Sequence, residues 1–252
     1  LTQTLTSAES PAQHHLDSLP MSFRSADIIN LDEQQQSESL FEAFGEHPVL
    51  GYTSFEVLKK FATDKEQHLQ VELELLQHAY SHALAANVAM VLLPCSGLLL
   101  EALEFNLFTE VLSKLQGQSQ LCLLFDDQEI RYACATQLEN LKKLSQLGYS
   151  IGLNNFAKDR CELNALTDIT FDYVLLSSTF SKRVLQQESF NLQLQGVLAI
   201  TQLKGIKVIA KGPSILNFRA LLDKYGLNLF VAKQQGLSEP VAANNNAAQS
   251  IN

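Results

Sequence analysis

Residues 148–177 read GYSIGLNNFAKDRCELNALTDITFDYVLLS. Two apolar runs, Ser150–Asn154 and Asp172–Leu176, flank a polar turn and a short segment with helical spacing. This is the pattern of a strand, a crossover and a second parallel strand. Asn154 and Asn155 stand at the end of the first strand, Leu175 and Ser177 at the end of the second. In an α/β barrel, strand ends of this kind carry the chemistry.

The alternation continues on both sides. Downstream, the pattern predicts a helix over Asn191–Leu203, a strand over Ile206–Ala210, a helix over Ile215–Tyr225 and a strand over Asn228–Val231. Upstream, Leu121–Phe125 reads as a strand and Arg131–Leu147 as a helix. Val88–Leu93 reads as a buried strand ended by Pro94, and Leu98–Leu115 as a helix. Asp64 and Gln67 form a capping-box pattern before a helix over Lys65–Ala86, whose Leu69, Leu73, Leu76, Tyr80 and Leu84 share one face. Ser22–Leu31 and Ser37–Phe44 are strand candidates that precede any helix, so one of them is expected to run antiparallel. Repeated strand–helix units imply a mostly parallel sheet, and eight strands suit a closed (β/α)8, or TIM, barrel.

The barrel is expected over residues 21–241, with a polar linker or tail at 1–20 and a disordered, low-complexity tail at 242–252. The start at Leu1 and the polar leader suggest a piece of a longer protein. The chain has 252 residues, 46% of them hydrophobic, and a net charge of −9. That acidity argues against a nucleic-acid surface, which needs a basic face. Cys95, Cys122, Cys134 and Cys161 lack metal-ligand spacing and fit a reduced, cytoplasmic setting. No run approaches the roughly 18 apolar residues of a membrane span. The segment itself therefore makes no membrane contact, although the whole could be the cytoplasmic part of a membrane-anchored protein. A homodimer is compatible with the sequence.

Several polar groups invite a site. Glu74, His78 and His82 recur every four residues, but opposite the apolar stripe of their helix, as a solvated face does. His14 and His15 have no partners nearby in sequence. Asp126 and Asp127 are a carboxylate pair after a strand, where a helix N-terminus is the commoner role.

Taken together, the pattern resembles the EAL domain, the bacterial cyclic di-GMP phosphodiesterase module, whose fold is a modified TIM barrel with one antiparallel strand. The resemblance spans about residues 22–240. The family's Glu-Ala-Leu signature is matched to Glu38-Ser39-Leu40, and the arginine that follows it to Glu42. A literal Glu101-Ala102-Leu103 lies within the predicted Leu98–Leu115 helix and reads as coincidence. The metal-binding asparagine is matched to Leu93, and the Glu-x-x-Glu run to Leu124 and Asp127. The Asp-Asp-Phe-Gly motif is matched to Asn154-Asn155-Phe156-Ala157. The next strand's lysine and aspartate are matched to Leu175 and Ser177, and the Ala-Glu-Gly glutamate to Lys211.

Family members hydrolyse the dinucleotide with two divalent cations. On this matching only Glu38 keeps a metal-shell carboxylate, so the expectation is a degenerate, non-catalytic barrel with no cofactor, metal or catalytic residue. Glu42 in place of an arginine would repel a phosphate, which argues against cyclic di-GMP binding. The implied role is regulation through a protein partner in bacterial signalling, as in family members that steer RNase E-dependent small-RNA decay. The alternative is a cyclic di-GMP receptor that binds without hydrolysis.

Overall fold

In the computed structural model, residues 21–30, 36–47, 51–54, 65–86, 90–115, 120–212 and 215–231 are described. The expected tails at 1–20 and 242–252 lie outside them. Strands rich in Val, Leu, Ile and Phe present apolar side chains at both parities, and such strands need cover on both faces. A closed barrel wrapped by helices supplies it.

The strands are β1 (Met21–Asn30), β2 (Gln36–His47), β3 (Gly51–Ser54), β4 (Met90–Cys95), β5 (Gln120–Asp126), β6 (Ser150–Phe156), β7 (Tyr173–Leu176), β8 (Lys207–Ala210) and β9 (Leu229–Val231). Eight of them form a ring in the order β1, β2, β4, β5, β6, β7, β8, β9, closed by pairing of β1 with both β2 and β9. Strand β1 is antiparallel to both neighbours, with Ala26 opposite Leu40 and Ile28 opposite Val231. All other neighbours in the ring are parallel. Strand β3 pairs antiparallel with β2 outside the ring. The structure is thus the modified, EAL-type barrel expected from the sequence.

The helices are α1 (Lys65–Ala86), α2 (Glu104–Lys114), α3 (Asp127–Arg131), α4 (Ala135–Gln146), α5 (Asn164–Asp168), α6 (Ser178–Gln186), α7 (Glu188–Lys204) and α8 (Ile215–Tyr225), with a 3-10 turn at Gly97–Leu100. Two predicted helices are therefore broken. The Leu98–Leu115 segment divides at Glu101–Leu103, where the literal Glu-Ala-Leu forms a turn with Leu103 83% exposed. The Arg131–Leu147 segment starts at Ala135, because Asp126 caps the short α3 first. Helix α6 was absent from the sequence expectation, although Ser177 is a good N-cap and accepts from the Phe180 amide.

Two apolar layers divide the strand residues by parity. Leu40, Met90, Leu92, Cys122, Leu124, Tyr173, Leu175 and Ile209 pack together inside the ring. Val91, Leu93, Leu123, Phe125, Ile151, Leu153, Val174 and Leu176 belong to the outer layer between strands and helices. Gly152 faces the inner layer: a Cβ there would stand 2.6 Å from Leu124 Cδ2. Among the described residues no helix is long and apolar enough to cross a membrane.

The N-terminal end of the ring carries a polar knot. Glu38 is only 6% exposed. Its Oε1 accepts from Tyr173 Oη at 2.8 Å and from Lys207 Nζ at 2.7 Å. Tyr173 and Lys207 are the first residues of β7 and β8, so one carboxylate ties three strands. Burial, with the Glu38 carboxylate beside it, pushes the Tyr173 phenol far above its usual range, so it stays a donor. Replacing Tyr173 by Phe removes a donor from a buried carboxylate. It is expected to lower unfolding stability by about 1–3 kcal/mol, read from urea denaturation. A loss under about 0.3 kcal/mol would mean that Lys207 alone holds Glu38.

Candidate functional site

The opposite, C-terminal mouth brings together the ends of β5, β6 and β8. Asp126 closes β5, and its Oδ1 accepts from the Gln128 amide at 2.9 Å, which caps α3. Its Oδ2 accepts from Asn155 Nδ2 at 2.8 Å. Asn155 thus has its nitrogen turned to the carboxylate and its oxygen turned away. That oxygen accepts from Lys211 Nζ at 2.6 Å. The same ammonium donates to Asn154 Oδ1 at 2.7 Å, and Asn154 Oδ1 also accepts from the Asn155 amide at 3.0 Å. Asn154 is buried and Lys211 half-buried. The result is a linked set of one carboxylate, two amides and one ammonium across three strands.

The backbone that carries it is constrained. Asn155 and Ala157 have φ of 53° and 58°, in the left-handed region. Asparagine tolerates that region, whereas alanine is strained there. The Ala157 amide donates to Asp127 Oδ2 at 3.3 Å, and Arg131 Nη2 stands 3.4 Å from the same oxygen. Burial is the largest influence on Asp127 and lifts its carboxyl from 3.8 to about 6, against the pull of Arg131. Two residues past the end of β8, Gly212 has φ of 82°, and a Cβ there would lie 2.5 Å from Ser178 Cβ. Only glycine lets the chain past Lys211 run so close to α6.

Of the positions matched from sequence, Asn154, Asn155 and Lys211 meet here. Others do not. Glu38, the expected metal-shell carboxylate, is in the polar knot at the far end of the barrel. Leu93 packs in the outer layer, so it is not at the mouth, and Pro94 next to it holds the parity of the interior residue Leu92. Leu124 and Leu175 are fully buried inside the ring, as part of its core. Ser177 is buried as the cap of α6. Asp127 supports the Asn155–Ala157 turn. Glu42 lies two residues beyond Leu40 on β2, opposite Arg24, toward the mouth end of the strand. Its side chain lies outside the described residues. On α1, Glu74 and His78 are exposed, as a solvated face requires, and the His82 side chain lies outside the described residues. The role of Asp126 in orienting Asn155 was not foreseen. Its only sequence signal was an acid directly after a strand.

The chain belongs to the EAL domain family, whose model matches residues 45–212. No curated protein sequence matches it. Among solved structures it resembles the EAL enzyme Bd1971 in its cAMP-bound form, with TM-score 0.71 and 14% identity over 86% of this chain and 63% of that one. It also resembles the MucR phosphodiesterase in complex with c-di-GMP, with TM-score 0.71 and 14% identity over 84% of this chain and 89% of that one. A third is Klebsiella pneumoniae BlrP1 with manganese and c-di-GMP, with TM-score 0.70 and 18% identity over 87% of this chain and 56% of that one. The chain thus spans less than two thirds of the length of Bd1971 and BlrP1.

Two expectations are overturned by these likenesses. The expectation that the chain is not an enzyme fails, because its family and its structural neighbours are EAL enzymes. The expectation against cyclic di-GMP binding fails as well, because neighbours of this fold are complexes with that dinucleotide. Both expectations leaned on the β2 match. Glu38 counted as the sole surviving metal-shell carboxylate and Glu42 as a lost arginine, and the structure places Glu38 at the wrong end for that match.

The family implies divalent cations, and the side chains around Lys211 can be tested for them. Such cations take oxygen ligands, usually with carboxylate charge. Around Lys211 the oxygens are two neutral amides, already engaged by an ammonium. Among the described residues no group of three or more His, Cys, Asp or Glu side chains could hold a metal. Asn154 and Asn155, with Lys211 between them, do not by themselves fit a divalent cation.

Two measurements test the turn. Ala157→Gly relieves the positive φ and is expected to raise stability by up to about 1 kcal/mol. A loss of that size would mean that the buried methyl matters more than the strain. Asp127 has a folded value above its unfolded one, so the folded state holds the proton more tightly. Its contribution to stability is present at low pH and is lost as pH rises from 3.8 to about 6. The thermal midpoint of Asp127→Asn, followed against pH, should lack that part of the decline. Parallel curves for the two proteins would show that Arg131 keeps Asp127 ionised.

Proposed function

We propose that this EAL barrel binds cyclic di-GMP at its C-terminal mouth, with Lys211 as a phosphate contact. The observation that carries this is the ammonium of Lys211, held by Asn154 and Asn155 at the strand ends of an EAL barrel. An ammonium donating to a phosphate oxygen is a strong, charge-assisted contact. The side chain is half-buried and is oriented by its two amide partners. Neighbours crystallised with c-di-GMP support the ligand class.

The β2 register supports a revised signature. Glu42-Ala43-Phe44 lies four residues beyond Glu38 on the same parity, at the mouth end of the strand. It departs from Glu-Ala-Leu only in its third residue. Glu42 is then the signature carboxylate, and the arginine position, four residues further on, falls on Glu46. Regulation by protein contact is the weaker reading, because it gives the Asp126–Asn155–Lys211–Asn154 set no role.

Isothermal titration with cyclic di-GMP tests the proposal. The wild-type chain is expected to bind, and Lys211→Ala to weaken binding about 10- to 100-fold, the worth of one hydrogen bond to a charged group. Lys207→Met, at the other end of the barrel, should leave the affinity unchanged. Absence of heat at roughly millimolar ligand, where only affinities weaker than about −4 kcal/mol escape, would overturn the reading. Equal losses in the two variants would also overturn it.

A further inference from the structure

A cleft of about 590 Å³ opens at the N-terminal end of the barrel, away from the mouth. Its walls come from α7, from the chain that enters β8 and from the turn between α8 and β9. The volume is that of a small-molecule site. We infer that this cleft takes a zwitterionic α-amino acid with a large apolar side chain, its ammonium on Glu38 and its carboxylate on Lys207. The inference does not depend on nucleotide binding at the mouth.

Three features point this way. First, Glu38 is incompletely paired. Its Oε1 accepts from both Tyr173 and Lys207, while its Oε2 is buried and has no hydrogen-bond partner. A buried oxygen left without a donor is costly, and a ligand that brings one recovers that cost. Glu38 lines the cleft. The terminal torsion of a glutamate is soft, so a turn of the carboxylate presents its second oxygen there. Second, Lys207 has capacity to spare. Its Nζ stands 2.7 Å from Glu38 Oε1 and 3.4 Å from Tyr173 Oη, and the side chain is 55% exposed. An ammonium has three hydrogens, so one remains for a carboxylate in the cleft. Third, the two charges choose the head group. A plain amine on Glu38 would set a second ammonium beside Lys207, where like charges repel. A plain acid on Lys207 would leave Oε2 without a donor. A head that carries both charges side by side satisfies both groups through charge-assisted bonds.

The rest of the cleft selects the side chain. Leu198 of α7, Ile206, Leu227 and Leu229 line it with apolar surface. Leu198 and Leu229 are only partly buried, so each has apolar surface left to cover. An aromatic or branched aliphatic side chain laid against them is held by the hydrophobic effect. The head-group contacts come from strand ends that the closed ring fixes. Lys207 pairs with Tyr173 at the start of β8 and β7, and Leu229 pairs with Asn30 at the end of β1.

The test is isothermal titration of the whole chain with three probes. L-Phenylalanine carries both charges, phenethylamine the amine alone and 3-phenylpropanoate the acid alone. Wild type is expected to bind L-phenylalanine at least about tenfold more tightly than either half, the worth of one charge-assisted bond. Lys207→Met is expected to lose about tenfold for L-phenylalanine and to bind phenethylamine no worse than wild type does, because the repelling ammonium is gone. Glu38→Gln is expected to weaken L-phenylalanine and phenethylamine by about tenfold or more. Circular dichroism checks that each variant folds. If Glu38→Gln does not, the change of preference in Lys207→Met must appear for the inference to survive. Absence of heat from L-phenylalanine at roughly millimolar ligand would overturn it. Either half binding wild type as tightly as the amino acid would overturn it too, as would an affinity for L-phenylalanine that neither substitution changes.

Discussion

Closure of the ring through β1 is the constraint on which the other features depend. One strand pairs antiparallel with both β2 and β9 and so removes the last open edges of the barrel. Once the ring is closed, the positions of its residues along the axis follow from the hydrogen-bond register. That register sends Glu38, Tyr173 and Lys207 to one end and Asp126, Asn154 and Lys211 to the other. The two ends use the same materials, a lysine and polar oxygens, for different purposes. At the N-terminal end the carboxylate is nearly fully buried and the partners are spent on it. At the mouth the lysine donates to two neutral amide oxygens, Asn154 Oδ1 and Asn155 Oδ1.

The architecture was legible in the sequence because two periodicities alternate cleanly from Leu121 onward. Apolar strands of both parities, helices of amphipathic spacing and two strands ahead of the first helix were enough to imply a barrel with one reversed strand. The register was not legible, and the reason is geometric. Side chains in a strand alternate with period two, so Glu38 and Glu42 have the same parity. Both readings of β2 satisfy the pattern equally, and only the pairing of Glu38 with Met90 on β4 separates them. Leu93 illustrates the opposite case. A slip of one residue turns a side chain from one face to the other, and the run Val91–Pro94 is apolar throughout, so nothing in it marks the inward positions.

The site was legible only as a set of types. Asn154, Asn155 and Lys211 were singled out as departures from the family pattern, and each departure taken singly looks like a loss. Their proximity gives them a joint meaning that no single position carries. An amide in place of a carboxylate cannot offset a doubly charged ion, and a lysine in place of a glutamate repels one. Placed at 2.6–2.7 Å from each other, the same amides and lysine satisfy one another.

That mutual fit bears on which charge the mouth offers a ligand. Had Asn154 and Asn155 been carboxylates, Lys211 would have been outnumbered by negative charge, and a dianionic ligand would have met a net repulsive surface. With amides, only Asp126 remains negative in the linked set, and it contacts Asn155 instead of Lys211. Its other oxygen is occupied by the first turn of α3, where helix dipole and hydrogen bond both favour a negative charge. Asp126 therefore acts as the outer anchor that fixes the amide of Asn155, and the positive end of the set points inward from it to Lys211. The set thus runs from carboxylate through amide to ammonium, with Asp126 at its outer end and Lys211 at its inner end.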